Sequence, residues 1–286
     1  MATTDLLIHR SVRKASEYNH SEISKRWYTA CNLPERLEPV SLLIAIRTAD
    51  TIILTTDSLS LERDDHTGTD VPNRINKLHR IAGTDWIMVS VGNSGFDIFK
   101  QELEAEIAVG QRAPFDSHLS IGGPALLRAL RQKAIQIGSP ETGFPLSWVA
   151  LAGFDLQNKP LILTANLPLL GYSVVTEPIV AMGAQFPTAA WILYTLAESC
   201  TSIETLRKLA VFTIWEMSKR ELKIGRIEAG YPIHSCVMEF GKPQQFAEAS
   251  SAELDIWLKD WEQGLRDCFT GVIEAMESKP KPIIPE

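Results

Sequence analysis

The side chains able to do chemistry in this sequence are hydroxyls, carboxylates and lysines rather than thiols or imidazoles. The four cysteines, Cys31, Cys200, Cys236 and Cys268, are scattered without a C-x-x-C pair, which argues against a disulfide framework or a zinc site. The six histidines are equally dispersed, and none pairs with another at the i, i+4 spacing of a helical metal site. No structural metal and no cofactor is expected. The polar groups of interest lie between Ser41 and Lys77. Ser41 opens a strand-like run, Asp57-Ser58 closes the next, and Lys77 sits between Arg74 and Arg80. Taken singly, each has an ordinary structural reading. Serine is a common strand boundary, and an Asp-Ser pair closes turns through side-chain hydrogen bonds. Lys77 with its basic neighbours can balance Asp64, Asp65 and Asp70 on a solvated face, so burial of Lys77 separates the readings. Gly92 and Gly95 punctuate a strand end, and Glu221 falls near the end of a helical pattern.

The elements that must position these groups follow from periodicity. Residues 1–40 are polar and uneven, with a short helix expected over Ser21–Asn32 before Pro34 and Pro39. Ser41–Arg47 and Thr51–Thr56 are apolar, β-branched runs around Thr48-Ala49-Asp50, as in a tight hairpin. Leu61–Asn76, broken by Gly68 and Pro72, reads as a loop or an irregular edge excursion. Lys77–Ile81 and Trp86–Val91 form a second expected hairpin. Helices are expected over Phe96–Val109 and Pro124–Ile137, then strands at Ser147–Gly153, Pro160–Ala165, Tyr172–Thr176 and Ile179–Met182. Pro187–Ser199 and Ile203–Leu222 are helical, the latter with Ile203, Leu206, Leu209, Ala210 and Ile214 on one stripe. Ile233–Phe240 is a final strand. Ala252–Met276 reads as a long amphipathic helix before a proline-rich tail, and it carries Trp257 and Trp261 one turn apart as interface candidates.

Two blocks of strands, each followed by a helix pair, predict an α+β chain drawn as a four-layer αββα sandwich: two stacked antiparallel sheets flanked by helix pairs. The same element order also permits two separate α+β domains. A resemblance favours the sandwich. Ser41-Leu-Leu-Ile-Ala-Ile-Arg-Thr-Ala-Asp-Thr-Ile-Ile-Leu-Thr-Thr-Asp57-Ser58 resembles the opening hairpin of proteasome β-type subunits, with Ser41 where their chain-starting threonine stands. Asn76-Lys77-Leu-His-Arg-Ile81 is similar to that family's lysine-containing strand, and Val89-Ser-Val-Gly92-Asn-Ser-Gly95 to its glycine-marked strand end. Ala152-Gly153-Phe154-Asp155 and Ala181-Met-Gly183-Ala continue the likeness, which covers roughly residues 41–240. It implies an N-terminal-nucleophile (Ntn) hydrolase: an extension or propeptide over 1–40, a sandwich domain over 41–278 and a tail over 279–286.

The resemblance also implies roles. Ser41 would be the nucleophile, with its own free α-amino group as proton shuttle, because an α-amine ordinarily titrates at about 7.7–8.0 and a peptide nitrogen cannot take the proton. Lys77 would hold positive charge beside it, Asp57 would hold Lys77, and the Gly92 N–H would face the developing oxyanion. Glu221 falls where the family has a supporting aspartate. Serine replaces threonine but keeps the hydroxyl, and Val40 stands where processed members carry glycine.

The expected activity is peptide or amide hydrolysis through Ser41 once residues 1–40 are removed. The alternatives are an unprocessed, non-catalytic subunit and a small-molecule amidase of the same fold. Expected partners are a peptide or protein substrate, copies of the chain in stacked rings or a related assembly, and an ATPase that the sequence leaves open. A net charge of −7 gives no general attraction to nucleic acid or an anionic membrane. The longest apolar stretches, such as Ala189–Leu196, fall short of the ~20 residues that span a bilayer. A cytoplasmic setting is expected.

Overall fold

The computed structural model describes residues 41–63, 70–92, 100–101, 104, 147–166, 171–197, 200 and 202–260. The expected Ser21–Asn32 and Pro124–Ile137 helices lie outside them; of the expected Phe96–Val109 helix, residues 100, 101 and 104 are described and helical.

Strands β1 (Leu42–Arg47) and β2 (Thr51–Asp57) form the predicted hairpin. Thr48 closes it, its hydroxyl accepting from the Thr51 N–H at 3.0 Å. β3 (Leu59–Arg63) and β4 (Asp70–Arg74) pair with each other as a separate two-stranded ribbon. β5 (Leu78–Arg80) and β6 (Ile87–Gly92) make a further hairpin, and β7 (Ser147–Phe154), β8 (Pro160–Asn166) and β9 (Gly171–Val174) extend it into a five-stranded antiparallel sheet. The turn between β7 and β8 is held by Asp155, whose carboxylate accepts from the N–H groups of Gln157 and Lys159, both at 2.9 Å. β10 (Ile179–Gly183), β11 (Ile233–Glu239) and β12 (Gln245–Ala249) join the first hairpin in a second five-stranded sheet, ordered β10-β1-β2-β11-β12.

One buried apolar cluster draws on both large sheets: Leu43, Ala45, Leu54, Met182 and Cys236 from one, Leu78, Val89, Ala150 and Ile162 from the other. These residues alternate along their strands, so each sheet gives one face to a shared interior. The opposite face of the β10-β1-β2-β11-β12 sheet is covered by α1 (Phe186–Leu196) and α2 (Ile203–Ser218). Proline in the first turn suits α1, and the Ser202 hydroxyl caps α2 by accepting the Thr205 N–H at 3.1 Å. Leu206, Leu209, Ala210 and Ile214 of the predicted stripe are buried, while Ile203 is half-buried.

The expected four-layer αββα sandwich with a helix pair on each face is not what the described residues form. They form three sheets rather than two, and a helix pair on one large sheet only. The third sheet arises where a loop was expected. Its strands are polar and Pro72 lies in β4, which a two-stranded ribbon accommodates because proline need not donate to a central ladder. β12 was likewise not anticipated, since its sequence QFAEA is mostly exposed and lacks an apolar alternation. α2 stops at Ser218 rather than at Leu222.

A second compact unit starts at Ser250. Residues 251–260 are helical, entered by a capping box in which Glu253 Oε2 accepts the Ser250 N–H at 2.9 Å. Among the described residues no helix is long and apolar enough to cross a membrane.

Gly153 packs flat on the indole of Trp86, where a β-carbon would stand 2.5 Å from the ring, and that ring is 1% exposed. Gly153→Ala is expected to lower stability by about 1–3 kcal/mol through overpacking. Urea unfolding followed by tryptophan fluorescence checks this, with the midpoint falling and the slope unchanged.

Candidate active site

Antiparallel pairing of β1 with β2 brings the start of one strand beside the end of the other. Ser41, immediately before β1, therefore meets Asp57, the last residue of β2. Asp57 reaches across to accept the Leu42 N–H on Oδ1 at 2.9 Å. Its Oδ2 accepts from the Leu59 N–H at 3.0 Å, the Gly225 N–H at 3.1 Å and the Lys77 ammonium at 3.1 Å. Lys77, immediately before β5, also donates to Ser41 Oγ at 2.5 Å, and Ser41 Oγ donates to the Leu59 carbonyl at 3.2 Å. All three side chains are buried: Ser41 is 1% exposed, Asp57 0% and Lys77 3%. The surface basic cluster considered for Lys77 is thereby replaced by an interior ion pair.

Burial pushes the Lys77 pKa below its ordinary value, and the charge and hydrogen bond of Asp57 act against that shift. The lowered pKa makes it easier for the ammonium to give up a proton, and only the neutral amine so formed could take a proton from the hydroxyl that Lys77 touches.

Ser41 itself is held in an unusual backbone state. Its φ is 87°, in the left-handed region that a residue with a β-carbon adopts at a cost of order 1–3 kcal/mol. Two backbone bonds over-determine it: the Ser41 N–H donates to the Lys223 carbonyl at 2.9 Å, and the Ser41 carbonyl accepts the Ala184 N–H at 2.8 Å. The Ala184 contact needs Gly183, with φ 109°, because any β-carbon there would overlap the Ser41 carbonyl oxygen. Gly225 is needed for the same kind of reason. A β-carbon at that position would come within 2.8 Å of Leu59 Cβ and 2.7 Å of Tyr231 Cβ, closing the approach that delivers its N–H to Asp57.

Of the five residues nominated from the sequence, Ser41 and Asp57 are both bonded by Lys77. Gly92 ends β6 opposite Ser147, and the side chain of its neighbour Val91 reaches the position that a Gly183 β-carbon would occupy, so this strand end borders the site. Glu221 makes no hydrogen bond or ion pair with the trio among the described residues. Its carboxylate accepts the Lys223 N–H at 3.2 Å, which braces the turn after α2 that supplies the Lys223 carbonyl and the Gly225 N–H. Leu59, Lys223 and Gly225 were not singled out by sequence. The first two act through backbone atoms, which leave no mark on residue type, and the glycine after the α2 pattern was the one legible signal.

No family model matches the sequence, and no curated protein matches it. Solved structures do match. The Anbu complex of Pseudomonas aeruginosa, described as a helical assembly, superposes with a TM-score of 0.63 at 15% identity, over 84% of this chain and 98% of that one. Anbu (ancestral beta-subunit) from Yersinia bercovieri gives 0.60 at 14% identity, over 86% and 100%. An Anbu (Gly-1) mutant from Hyphomicrobium sp. strain MC1 gives 0.59 at 16%, over 81% and 99%. The fold is therefore the proteasome-like one of these proteins, and at such identities the likeness is one of fold.

Lys77→Met would remove the side-chain donor that both Asp57 Oδ2 and Ser41 Oγ bond in the interior, and is expected to cost about 1–3 kcal/mol in urea unfolding. The pH dependence has a definite sign. With the folded pKa of Lys77 depressed, the unfolded chain binds more protons between that value and the ordinary ~10.4, so this group makes stability rise with pH across that window. Unfolding curves on either side of the window should show the rise in the unmodified protein and lack it in Lys77→Met.

Proposed function

We infer that this chain is the precursor of a proteasome-like Ntn hydrolase that cleaves peptide or amide bonds through Ser41 after scission of Val40–Ser41 and loss of residues 1–40. The observation that carries the reading is the buried contact of Ser41 Oγ with Lys77, itself held by Asp57.

In the scission, Ser41 Oγ attacks the Val40 carbonyl carbon while its proton passes to the neutral amine form of Lys77, which burial makes more accessible by lowering its pKa. The C–N bond breaks as the Ser41 nitrogen takes a proton, leaving Val40 esterified to Oγ. Water then hydrolyses the ester, releasing the Val40 carboxylate and a free Ser41 amine. Strain at the Ser41 backbone raises the ground state of the bond to be cut.

In the working enzyme the new amine, which as an ordinary α-amine titrates at about 7.7–8.0, takes the Oγ proton as the hydroxyl attacks a substrate carbonyl. The Lys77 charge stabilises the developing alkoxide, and the Gly92 N–H is the proposed oxyanion donor. The leaving amine receives the proton, and water resolves the acyl-enzyme. By analogy with the helical assembly described for the Pseudomonas aeruginosa Anbu complex, the chain is proposed to act as a homo-oligomer on peptide or protein substrates.

A second reading is a non-catalytic subunit that keeps Val40–Ser41. It draws support from Ser41 being 1% exposed, with its nitrogen engaged as an amide by the Lys223 carbonyl. Intact mass and N-terminal sequencing of the native protein separate the two. The hydrolase reading expects a chain beginning at Ser41, with Ser41→Ala remaining full length and losing peptide hydrolysis by the ~10³-fold or more typical of an absent nucleophile. Recovery of only the uncut chain would select the second reading.

A further inference from the structure

His234 lies between the buried trio and the open edge of its sheet. Successive register pairs place Leu43, Thr56, His234 and Glu248 in one row across β1, β2, β11 and β12. The imidazole is buried, and its Nε2 stands 3.5 Å from Glu248 Oε2. The other oxygen of Glu248 accepts from the Arg74 guanidinium at 2.7 Å. Nδ1 is buried and has no hydrogen-bond partner among the described residues. The charged groups acting on the ring are Glu248 from β12, Arg74 from β4 and Lys77 from the segment before β5, while β2 presents the uncharged Thr56.

This arrangement suits a neutral ring. With the Nε2 proton directed at Glu248, Nδ1 is a lone pair and needs no acceptor. Protonation would place a second N–H where no acceptor faces it and would add a cation beside Arg74 and Lys77. The strain has an outlet. β11 is hydrogen-bonded on both sides, whereas the β3–β4 ribbon is fastened to β12 by the Arg74–Glu248 pair, whose side chains are 54% and 51% exposed. That ribbon begins at Leu59, which binds both Asp57 and Ser41, and the chain runs from its end into Lys77.

We propose that His234 is a proton-operated latch on the β3–β4 ribbon: the neutral ring leaves Glu248 to hold Arg74, and protonation in mild acid frees the ribbon from β12 and disorganises the surroundings of Ser41. Burial holds the His234 pKa below its ordinary value, Glu248 opposes this, and Arg74 and Lys77 add to it. The opened state therefore binds more protons between the depressed value and the ordinary ~6.5, so the closed state loses stability as pH falls through that window. The consequence for catalysis rests on Ser41 being the nucleophile; the latch does not.

Hydrogen exchange of the full chain at about pH 7.5 and about pH 5.5, corrected for intrinsic rates, tests the latch without requiring activity. Amides of residues 59–63 and of 70, 71, 73 and 74 should exchange several-fold faster in acid once intrinsic rates are removed. His234→Gln should abolish the acid response, and Glu248→Gln should exchange fast at both pH values. Equal protection at both pH values in the unmodified protein would overturn the latch, as would a full acid response in His234→Gln. Should His234→Gln fail to fold, Glu248→Gln decides alone: fast exchange at both pH values supports the latch, and slow exchange at neutral pH with the unmodified acid response overturns it. A working latch in a protein that never cleaves Val40–Ser41 would refute the hydrolase reading and leave the latch standing.

Discussion

A lysine and an aspartate buried together are expensive to desolvate, and the site depends on the way that cost is met. Asp57 gathers three backbone N–H groups, from Leu42, Leu59 and Gly225, in addition to the ammonium of Lys77. Those donors come from the start of β1, the start of β3 and the turn after α2, so satisfying one carboxylate ties together three parts of the chain distant in sequence. An ion pair held in this way is weak evidence for stability in itself, but it fixes geometry. Ser41 is the beneficiary, because its hydroxyl is left facing the Lys77 ammonium.

The same economy appears in the backbone. Ser41 is kept at positive φ by bonds to Lys223 and Ala184, and the close approach on either side is permitted by glycine at 183 and 225. Strain, close packing and a buried charge thus coincide at the residue before β1. Coincidence of this kind is what a functional site requires and what a mere strand boundary does not.

Much of this was legible in the sequence, and the exceptions have physical causes. Ser41 and Asp57 sit at the ends of strongly apolar, β-branched runs whose pairing the pattern reveals, whereas Lys77 was joined to them only by the resemblance to proteasome β-type subunits. The β3–β4 ribbon could not be expected, because a two-stranded, largely polar ribbon has no buried face to impose alternation, and Pro72 and Gly68 read as loop punctuation. The four-layer arrangement failed for a related reason: element order gives helices and strands but not which sheet face a helix covers. Glu221, also nominated for the site, accepts the Lys223 N–H in the turn that supplies donors to it. Backbone contributions from Leu59 and Lys223 are invisible in residue type.

The central claim is that the Asp57–Lys77 pair makes the Ser41 hydroxyl a nucleophile. The most direct test is to treat the native protein with a peptide β-lactone, which acylates activated hydroxyls, and to locate the adduct by peptide mapping. The account predicts a single adduct on Ser41, with its rate of formation falling at least ~10²-fold in Asp57→Asn. Labelling that misses Ser41, or that proceeds equally fast in Asp57→Asn, would contradict it.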